Sequence, residues 1–302
     1  MKQKVLVILG PTASGKSALG VALARRFNGE IISADSRQVY RGMDIGTGKI
    51  TKHEMKGVGH YLLDVASPKK KFTAGDYAIR GQHALGHISK RDKLPIIVGG
   101  TGFYIDTLLG RITLSEVTPD TKLRAALQKK STARLYALLK KRDPARAHKM
   151  NTPSERNNKV RLIRALEIAN HASSKSKVKK HFPYKICWIG IAPPFPKLEK
   201  NIKKRLKARL KAGMIAEARR LKHDGLSYKR MRELGLEYRS LADLLEQKID
   251  RAKFEASLYR DIRRYARKQL AYWKRNKDIR WFDPKDRTSI EAAVRRFIKM
   301  SS

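Results

Sequence analysis

An apolar run that ends in a glycine-rich turn is the strongest constraint on the fold of this 302-residue chain. Lys4–Leu9 reads KVLVIL, and Gly10–Ser17 reads GPTASGKS, which fits the pattern GxxxxGK[ST]. The run predicts a strand buried on both faces of a parallel sheet. Apolar residues at helical spacing in Ser17–Phe27 predict that a helix follows the turn. This order of strand, turn and helix is the context that a phosphate-binding loop requires.

The glycine-rich turn predicts a site for a di- or triphosphate. Backbone N–H groups of the loop and of the helix N-terminus would surround the phosphate oxygens. Lys16 would add a point charge, and the Ser17 hydroxyl is placed to bind Mg²⁺, the one cofactor that we expect. The predicted diphosphate-binding residues are Gly10, Pro11, Thr12, Ala13, Ser14, Gly15, Lys16 and Ser17.

Short apolar runs recur along the chain and predict about five parallel strands in all. The other four are Ile31–Ile32, Tyr61–Val65, Pro95–Val98 and Ile186–Ile191. Helical patterns lie between them, and the one over Thr73–Lys90 opens with Thr73 and Asp76, a pair typical of a capping box. We therefore predict an α/β fold, with a P-loop NTPase-like parallel sheet as its core.

The alternation of strands and helices stops at about Thr113. From there to Pro183 the apolar spacing predicts helices, and the basic stretch Ser173–Lys180 predicts a mobile linker. After Pro193 and Pro194 the pattern is helical again. The predicted organisation is a first part of the core over residues 1–112, a helical insertion that binds RNA over 113–183, and the last core strand with a helical C-terminal region over 184–302.

The formal net charge of +42 predicts a polyanionic partner. Residues 120–185 carry 19 basic and 4 acidic side chains, whereas residues 1–119 carry 18 and 9, so the excess lies mainly outside the first third. A generally basic proteome is the alternative explanation. No apolar run approaches the roughly 20 residues that span a bilayer, and the single cysteine, Cys187, excludes an internal disulfide. We expect a cytoplasmic monomer that does not associate with membranes.

Polar residues follow the predicted strand at Ile31–Ile32, beginning with Asp35. Ligands of doubly wound sheets bind at the carboxyl ends of the strands, which makes Asp35 a candidate general base beside the phosphates. A turn or helix cap is an equally good interpretation from the residues alone. An ATPase would offer an acidic residue at the end of a strand to hold its metal, and Asp64 could play that role.

A segment near the C-terminus, Phe254–Trp273, interleaves aromatic residues with cations. Such a mixture suits RNA backbone and unpaired bases, although the aromatic residues could equally pack inward. We expect the aromatic residues in the core and the arginines on phosphates. The residues concerned are Tyr259, Tyr265, Tyr272 and Trp273, with Arg260, Arg263, Arg264, Arg267 and Lys268.

Five segments in this order resemble the tRNA dimethylallyltransferases, also called tRNA isopentenyltransferases. They are GPTASGKS from Gly10, ADSRQVYRGMDIGTGK from Ala34, VGGTGFY from Val98, RLIRALEI from Arg161 and GLEYR from Gly235. The resemblance covers nearly the whole chain. It implies a P-loop α/β core with a helical insertion. The implied reaction transfers a dimethylallyl group from dimethylallyl diphosphate to N6 of the adenosine on the 3′ side of the tRNA anticodon.

The resemblance also implies roles for single residues. Asp35 is similar to the base that takes the N6 proton, and Thr101 to the polar residue beside the reacting amine. Arg232 resembles an arginine that acts with Lys16 on the diphosphate, and Arg230 is its substitute because the alignment there is ambiguous. Contacts with tRNA are implied for Asp35, Ser36, Arg37, Gln38, Thr101, Arg124, Asn158, Lys159, Val160, Arg161 and Leu162.

The chain departs from the family pattern at Gly48, where alanine is usual, and at Ser17, where threonine is commoner. Three other functions are to be separated from tRNA modification. An adenylate isopentenyltransferase would use the same donor site, but it has no evident use for a basic insertion. A P-loop kinase would transfer phosphate from ATP. A non-enzymatic RNA-binding P-loop protein gives no reason for the segments around Asp35 and Thr101.

Overall fold

The computed structural model describes residues 3–115, 117–150, 152–171 and 184–300. The predicted linker Ser173–Lys180 lies outside these residues. The chain divides into two compact units, one formed by Met1–Ile112 with His181–Ser302 and the other by Thr113–Lys180. Across the described ranges, no helix combines the length and the apolar character that crossing a membrane requires.

The larger unit contains a six-stranded sheet in which all the strand pairings of the described residues are parallel. Its strands lie in the order β3-β2-β4-β1-β5-β6, which confirms the predicted α/β class. Gly99 of β4 pairs with both Leu9 of β1 and Ala34 of β2, so the carboxyl ends of these three strands lie side by side. The strands are β1 (Gln3–Leu9), β2 (Gly29–Ala34), β3 (His60–Tyr61), β4 (Leu94–Gly99), β5 (Tyr184–Ile191) and β6 (Arg280–Phe282).

The helices α5 to α9 belong to the smaller unit, and the others belong to the larger one. They are α1 (Lys16–Arg26), α2 (Lys52–Met55), α3 (Ala74–Ser89), α4 (Gly102–Leu108), α5 (Thr121–Gln128), α6 (Thr132–Arg142), α7 (Pro144–Lys149), α8 (Pro153–Arg156), α9 (Lys159–Asn170), α10 (Phe195–Lys211), α11 (Met214–His223), α12 (Tyr228–Leu234), α13 (Leu236–Leu245), α14 (Arg251–Trp273) and α15 (Arg287–Lys299).

Helices cover both faces of the sheet. Side chains of a strand alternate between the two faces, so neighbouring residues of one strand pack against different helices. Leu6 of β1 packs in a cluster with Leu19 of α1 and Val294 of α15. Its neighbour Val7 belongs to a second, larger cluster that includes Ile105 of α4 and residues of α3 and α10 to α14. The site-bearing edge of the sheet is therefore backed by a core on either side.

Two details of the strand prediction are wrong. The run Tyr61–Val65 forms a strand only as far as Tyr61, because Leu62 and Asp64 adopt φ angles of 64° and 56° in the left-handed region. The three-residue β6 was missed, since it carries two exposed residues and little apolar pattern. The helix predicted at Thr73 is confirmed, and Thr73 and Asp76 form the capping box.

The smaller unit has its own apolar core. Leu127 of α5, Leu135 and Leu139 of α6, and Leu162 and Leu166 of α9 are all buried together. Helical apolar spacing thus produces a helical bundle in the described part of the predicted insertion.

Candidate active site

The segment between β1 and α1 forms a tight turn at the carboxyl end of the sheet. Ala13 and Gly15 adopt φ angles of 62° and 90°, and the Ser14 N–H donates to the Pro11 carbonyl at 3.3 Å. A Cβ on Gly10 would lie 2.3 Å from the Ile191 carbonyl oxygen, so the chain needs glycine where it leaves β1. The first turn of α1 has no acidic residue, which leaves its positive end free to attract an anion.

Lys16 is the first residue of α1, and its ammonium donates to the Pro11 carbonyl at 3.2 Å. Burial and the nearby Arg205 guanidinium lower the pKa of Lys16 to about 8, and the Asp35 carboxylate opposes part of this shift. Two cations in a partly buried place indicate a shortage of negative charge. A bound diphosphate would supply that charge.

Asp35 and Thr101 follow the carboxyl ends of the neighbouring strands β2 and β4. The Asp35 carboxylate accepts from the backbone N–H groups of Arg37 at 2.8 Å and Gln38 at 3.4 Å. The Thr101 hydroxyl accepts from the Ser36 N–H at 3.1 Å. The two side chains are thus fixed by the same short turn, and Asp35, but not Thr101, is among the residues that line the pocket described next.

One pocket brings the predicted phosphate and acceptor residues together. Its lining includes Lys16, Ser17, Asp35, Ser36, Arg37, Gln38, Arg205, Tyr265 and Gln269. An adjoining pocket shares Lys16, Ser17 and Arg205 and extends to Ala13 and Gly15. Lys16 and Arg205 therefore line both pockets of the larger unit.

Helix α10 supplies side chains that the sequence analysis missed. Nη2 of Arg205 donates to the Gly48 carbonyl at 2.8 Å, and Nη1 reaches the Thr12 hydroxyl at 3.4 Å. Asn201 donates to the Ala13 carbonyl at 3.3 Å. The sequence held one indirect signal, the glycine at position 48. Gly48 has a φ of 59°, and a Cβ there would lie 2.2 Å from Nη2 of Arg205.

Helix α14 connects the phosphate loop with the segment after β4. The side-chain amide of Gln269 accepts from the Thr12 N–H at 2.8 Å and donates to the Gly100 carbonyl at 3.0 Å. Tyr265, one turn earlier, lines the pocket near Thr101. Burial and the Asp35 carboxylate raise the pKa of Tyr265 to about 12, and a hydrogen bond with Thr101 opposes this. The hydroxyl is therefore protonated at neutral pH and can donate.

The two arginines proposed from the resemblance lie elsewhere in the same unit. Arg232 donates to Asp243 at 2.9 Å and forms an ion pair with Glu246. Arg230 donates to the carbonyls of residues 68 and 70 and to Glu233. Neither residue is among those that line the two pockets. The arginine that the structure brings to Lys16 is Arg205.

Asp64, considered above as a metal-binding residue, pairs with Lys49. The ammonium of Lys49 lies 2.5 Å from Asp64 and 2.6 Å from Asp44, and it is almost fully buried between them. Within the described residues, no group of three or more His, Cys, Asp and Glu side chains could hold a metal ion.

The smaller unit contains the remaining predicted tRNA contacts. Arg124 makes two 2.6 Å hydrogen bonds to the fully buried carboxylate of Glu167. Asn158 caps α9 by accepting from the Arg161 N–H at 3.1 Å, Val160 is 77 % exposed and Leu162 is fully buried. Of the segment 158–162, the side chains at the surface are thus Asn158, Lys159 in part, Val160 and Arg161.

Of the aromatic residues of α14, Phe254 and Trp273 are buried, whereas Tyr259, Tyr265 and Tyr272 are only partly buried. Several of its cations contact neighbouring side chains. Arg263 pairs with Glu199, Arg264 with Asp261 at 2.6 Å, and Arg267 lies 4.5 Å from the ring centre of Phe195. The expected contact of these arginines with phosphates stays a prediction.

Comparisons with known proteins identify the family to which the chain is similar. The family model described as IPP transferase matches residues 38–276. A tRNA dimethylallyltransferase from Carboxydothermus hydrogenoformans is 35% identical over 309 residues, which cover 99% of this chain and 97% of that protein. The tRNA dimethylallyltransferase 1 of Geotalea uraniireducens is 41% identical over 275 residues, covering 91% and 89%.

Two solved structures are also similar. The full-length tRNA isopentenylpyrophosphate transferase of Bacillus halodurans matches with a TM-score of 0.72 at 33% identity, covering 98% of this chain and 95% of that one. A eukaryotic dimethylallyltransferase acting on tRNA matches with a TM-score of 0.79 at 25% identity, covering 98% and 79%. The similarity therefore extends over both units of the chain.

Proposed function

The chain belongs to the IPP transferase family of tRNA dimethylallyltransferases, and we propose that it transfers a dimethylallyl group from dimethylallyl diphosphate to N6 of the adenosine 3′ to the tRNA anticodon. The observation that carries the proposal is the single pocket that joins Lys16, Ser17 and Arg205 with Asp35. A donor diphosphate and an acceptor amine need these two kinds of group at one place.

The phosphate loop would bind the leaving group. Departure of diphosphate from an allylic carbon moves negative charge onto the phosphate oxygens, so fixed positive charge beside them lowers the barrier. Lys16, Arg205 and the N-terminus of α1 are arranged to supply it. Asn201 donates to the Ala13 carbonyl and Gln269 accepts from the Thr12 N–H, and these two hydrogen bonds hold that arrangement in place before substrate binds.

Asp35 would take the proton of the acceptor. The C–O bond to diphosphate breaks as the N6–C bond forms, and the amine must lose one proton to become the neutral product. The target base has to leave its stack to reach the pocket, as in other enzymes that act on bases. Tyr265 lines the pocket together with Asp35 and would hydrogen bond to the base, and Thr101, which contacts Ser36 and Tyr265, would assist it.

Magnesium is the expected cofactor, and the residues present fit it. Ser17 lines the pocket next to Lys16, and an oxygen-only set of hydroxyl, phosphate and water ligands is typical of Mg²⁺. When bound, the ion would neutralise charge on the diphosphate. We further propose a cytoplasmic monomer, with the basic smaller unit contributing to tRNA binding.

The test is a set of parallel reactions with dimethylallyl diphosphate and MgCl₂, in which total tRNA, AMP or ATP is the acceptor. We expect a dimethylallyl adduct, detected by mass after nuclease digestion, only on adenosine from tRNA. An adduct on AMP instead would assign the chain to free-nucleotide prenylation. Phosphate transfer from ATP without any adduct would indicate a kinase.

A further inference from the structure

A buried carboxylate outside the pocket holds the loop that follows β2. Glu217 of α11 is 4 % exposed. Its carboxylate accepts from the backbone N–H groups of Asp44 at 2.8 Å, Ile45 at 2.7 Å and Gly46 at 2.8 Å. The Tyr238 hydroxyl donates to it at 2.6 Å. Four donors therefore converge on one carboxylate, and three of them belong to consecutive residues of the loop.

The same loop carries the carbonyls that hold two arginines of α10. The Gly48 carbonyl accepts from Nη2 of Arg205 at 2.8 Å and from the Gln38 side chain at 3.3 Å. The Gly46 carbonyl accepts from Arg209 at 2.6 Å. Arg205 lines the pocket together with Lys16, whereas Glu217 does not line it. The loop is thus the connection between Glu217 and the pocket.

We propose that Glu217 is a positioning residue for diphosphate binding, because its carboxylate fixes the loop 44–48 that holds Arg205 beside the phosphate loop. The inference rests on the proposed function in taking a diphosphate as the ligand of the pocket. Glu217 acts through Arg205 and touches no substrate.

The charge of Glu217 is what this role requires. An isolated carboxylate is costly to bury, so a residue that only filled space at this point would be apolar. Glutamine would keep the shape but replace one oxygen by an N–H₂ group. That group would face a backbone N–H donor of the loop, either that of Gly46 or those of Asp44 and Ile45, and the loop would have to move.

The experiment compares Glu217→Gln with Glu30→Gln in the full chain. Glu30 is a second buried carboxylate of the same unit, 5 % exposed and bonded to Tyr61 and Lys93, and it is not among the pocket residues. Binding of inorganic pyrophosphate with Mg²⁺ is measured by calorimetry, tRNA binding by filter assay, and thermal stability in parallel. We expect Glu217→Gln to raise the Kd for pyrophosphate roughly ten- to hundredfold, as for lost hydrogen bonds to a charged group.

Under the same conditions Glu30→Gln should leave pyrophosphate affinity within about twofold, because Glu30 does not line the pocket and makes no hydrogen bond to the loop 44–48 or to Arg205. Both variants should bind tRNA as the wild type does. Equal effects of the two variants on pyrophosphate affinity would overturn the inference. If Glu217→Gln fails to fold, Tyr238→Phe removes one of the four donors and should weaken pyrophosphate binding about two- to tenfold. Unchanged affinity in that folded variant would equally overturn the inference.

Pyrophosphate binding does not depend on prenyl transfer, which separates this inference from the proposed function. A wild-type protein that binds pyrophosphate in a Glu217-dependent way but forms no adduct on tRNA would refute the proposed function alone. A wild-type protein that transfers the prenyl group while Glu217→Gln keeps normal pyrophosphate affinity would refute the inference alone.

Discussion

The two ends of β2 each carry a carboxylate, and their surroundings are opposite. Glu30, near the amino end, is 5 % exposed and accepts from Lys93 and Tyr61 at 2.8 Å each, in addition to pairing with Arg91. Asp35, just past the carboxyl end, is half-buried and lines the pocket. In the described part of the chain it accepts from backbone N–H groups of its own turn, and no lysine or arginine forms a close ion pair with it.

The contrast extends to the cations. At the amino end of the sheet, Arg91 and Lys93 both form ion pairs with Glu30. At the carboxyl end, Lys16 and Arg205 are bonded to backbone carbonyls and a hydroxyl, and no acidic side chain of the described residues lies within ion-pair distance. One end of the sheet satisfies its charges internally, and the other leaves them for a ligand. The carboxylate at the amino end of β2 thus contributes to stability, whereas the one past its carboxyl end is left available for function.

The site residues that follow the carboxyl ends of strands could be predicted from the sequence, because apolar runs mark where those strands end. The glycine-rich turn, Asp35 and Thr101 each sit at the end of an apolar run, and parallel strands bring such ends together. Arg205 and Gln269 could not be predicted in this way. Their hydrogen bonds to Thr12 span 193 and 257 residues, and a cation on an amphipathic helix has no local feature that marks it as part of a site.

The resemblance to a family did not identify Arg205 either. It pointed to Arg232 for the diphosphate, where a short motif could be aligned in more than one way, and the structure brings Arg205 to the pocket. It also marked Gly48 as a departure from the alanine that is usual in the family. The positive φ of 59° and the close approach of Arg205 show why a residue without a side chain suits that position.

The largest effect on the transfer reaction is expected from a change at Asp35, just past the carboxyl end of β2. Asp35→Asn keeps the hydrogen-bond acceptor of the turn but removes the base, so the single-turnover rate should fall about 10²- to 10⁴-fold while both substrates still bind. The measurement is a single-turnover assay at saturating tRNA and donor. A rate within about threefold of the wild type would exclude Asp35 as the general base, since base removal costs more.

Other roles for Asp35 have different signatures. A metal ligand would show weakened donor binding that depends on Mg²⁺ concentration, and a turn cap would show a lower melting temperature with much less effect on rate. Donor affinity at several Mg²⁺ concentrations and thermal unfolding of the same variant separate these cases.

A smaller effect is expected from a change at Arg205, and a comparison with Arg232, which pairs with two carboxylates, tests which arginine binds the diphosphate. Arg205→Ala removes a guanidinium that forms no ion pair within the described residues, and we expect pyrophosphate affinity to fall about ten- to hundredfold. Arg232→Ala removes one that pairs with Asp243 and Glu246, so affinity should stay within about twofold while the melting temperature falls. Calorimetry on both variants decides between them. The reverse pattern would support Arg232 as the diphosphate arginine, as the family resemblance implies.

The smaller unit offers a test of where tRNA affinity comes from. Arg161 is 57 % exposed and Lys159 precedes it on α9, so the double variant Lys159→Ala/Arg161→Ala should weaken tRNA binding and reduce the salt slope by about one to two. Arg295→Ala/Arg296→Ala on α15 makes the same change in charge and serves as the control. Equal salt slopes in the two double variants would show that α9 is not a specific phosphate contact.

The smallest effect on the reaction is expected from Glu30→Gln, at the satisfied end of β2. Burial raises the pKa of Glu30, but the hydrogen bonds from Lys93 and Tyr61 and the charge of Arg91 outweigh it and hold the pKa below the usual 4.5. Because the folded-state pKa is the lower one, the charged form stabilises the fold above about pH 4.5, and this contribution is lost as the pH falls through the folded-state value. Glu30→Gln should therefore lower the free energy of unfolding by about 1–3 kcal/mol at pH 7 and leave the transfer rate unchanged.

Urea unfolding of the wild type and of Glu30→Gln, at pH 7 and at lower pH, should show that the difference in the free energy of unfolding between them shrinks as the pH falls. A pH-independent difference would mean that shape, not charge, stabilises this end, and a rate loss like that of Asp35→Asn would remove the distinction between the two ends of β2.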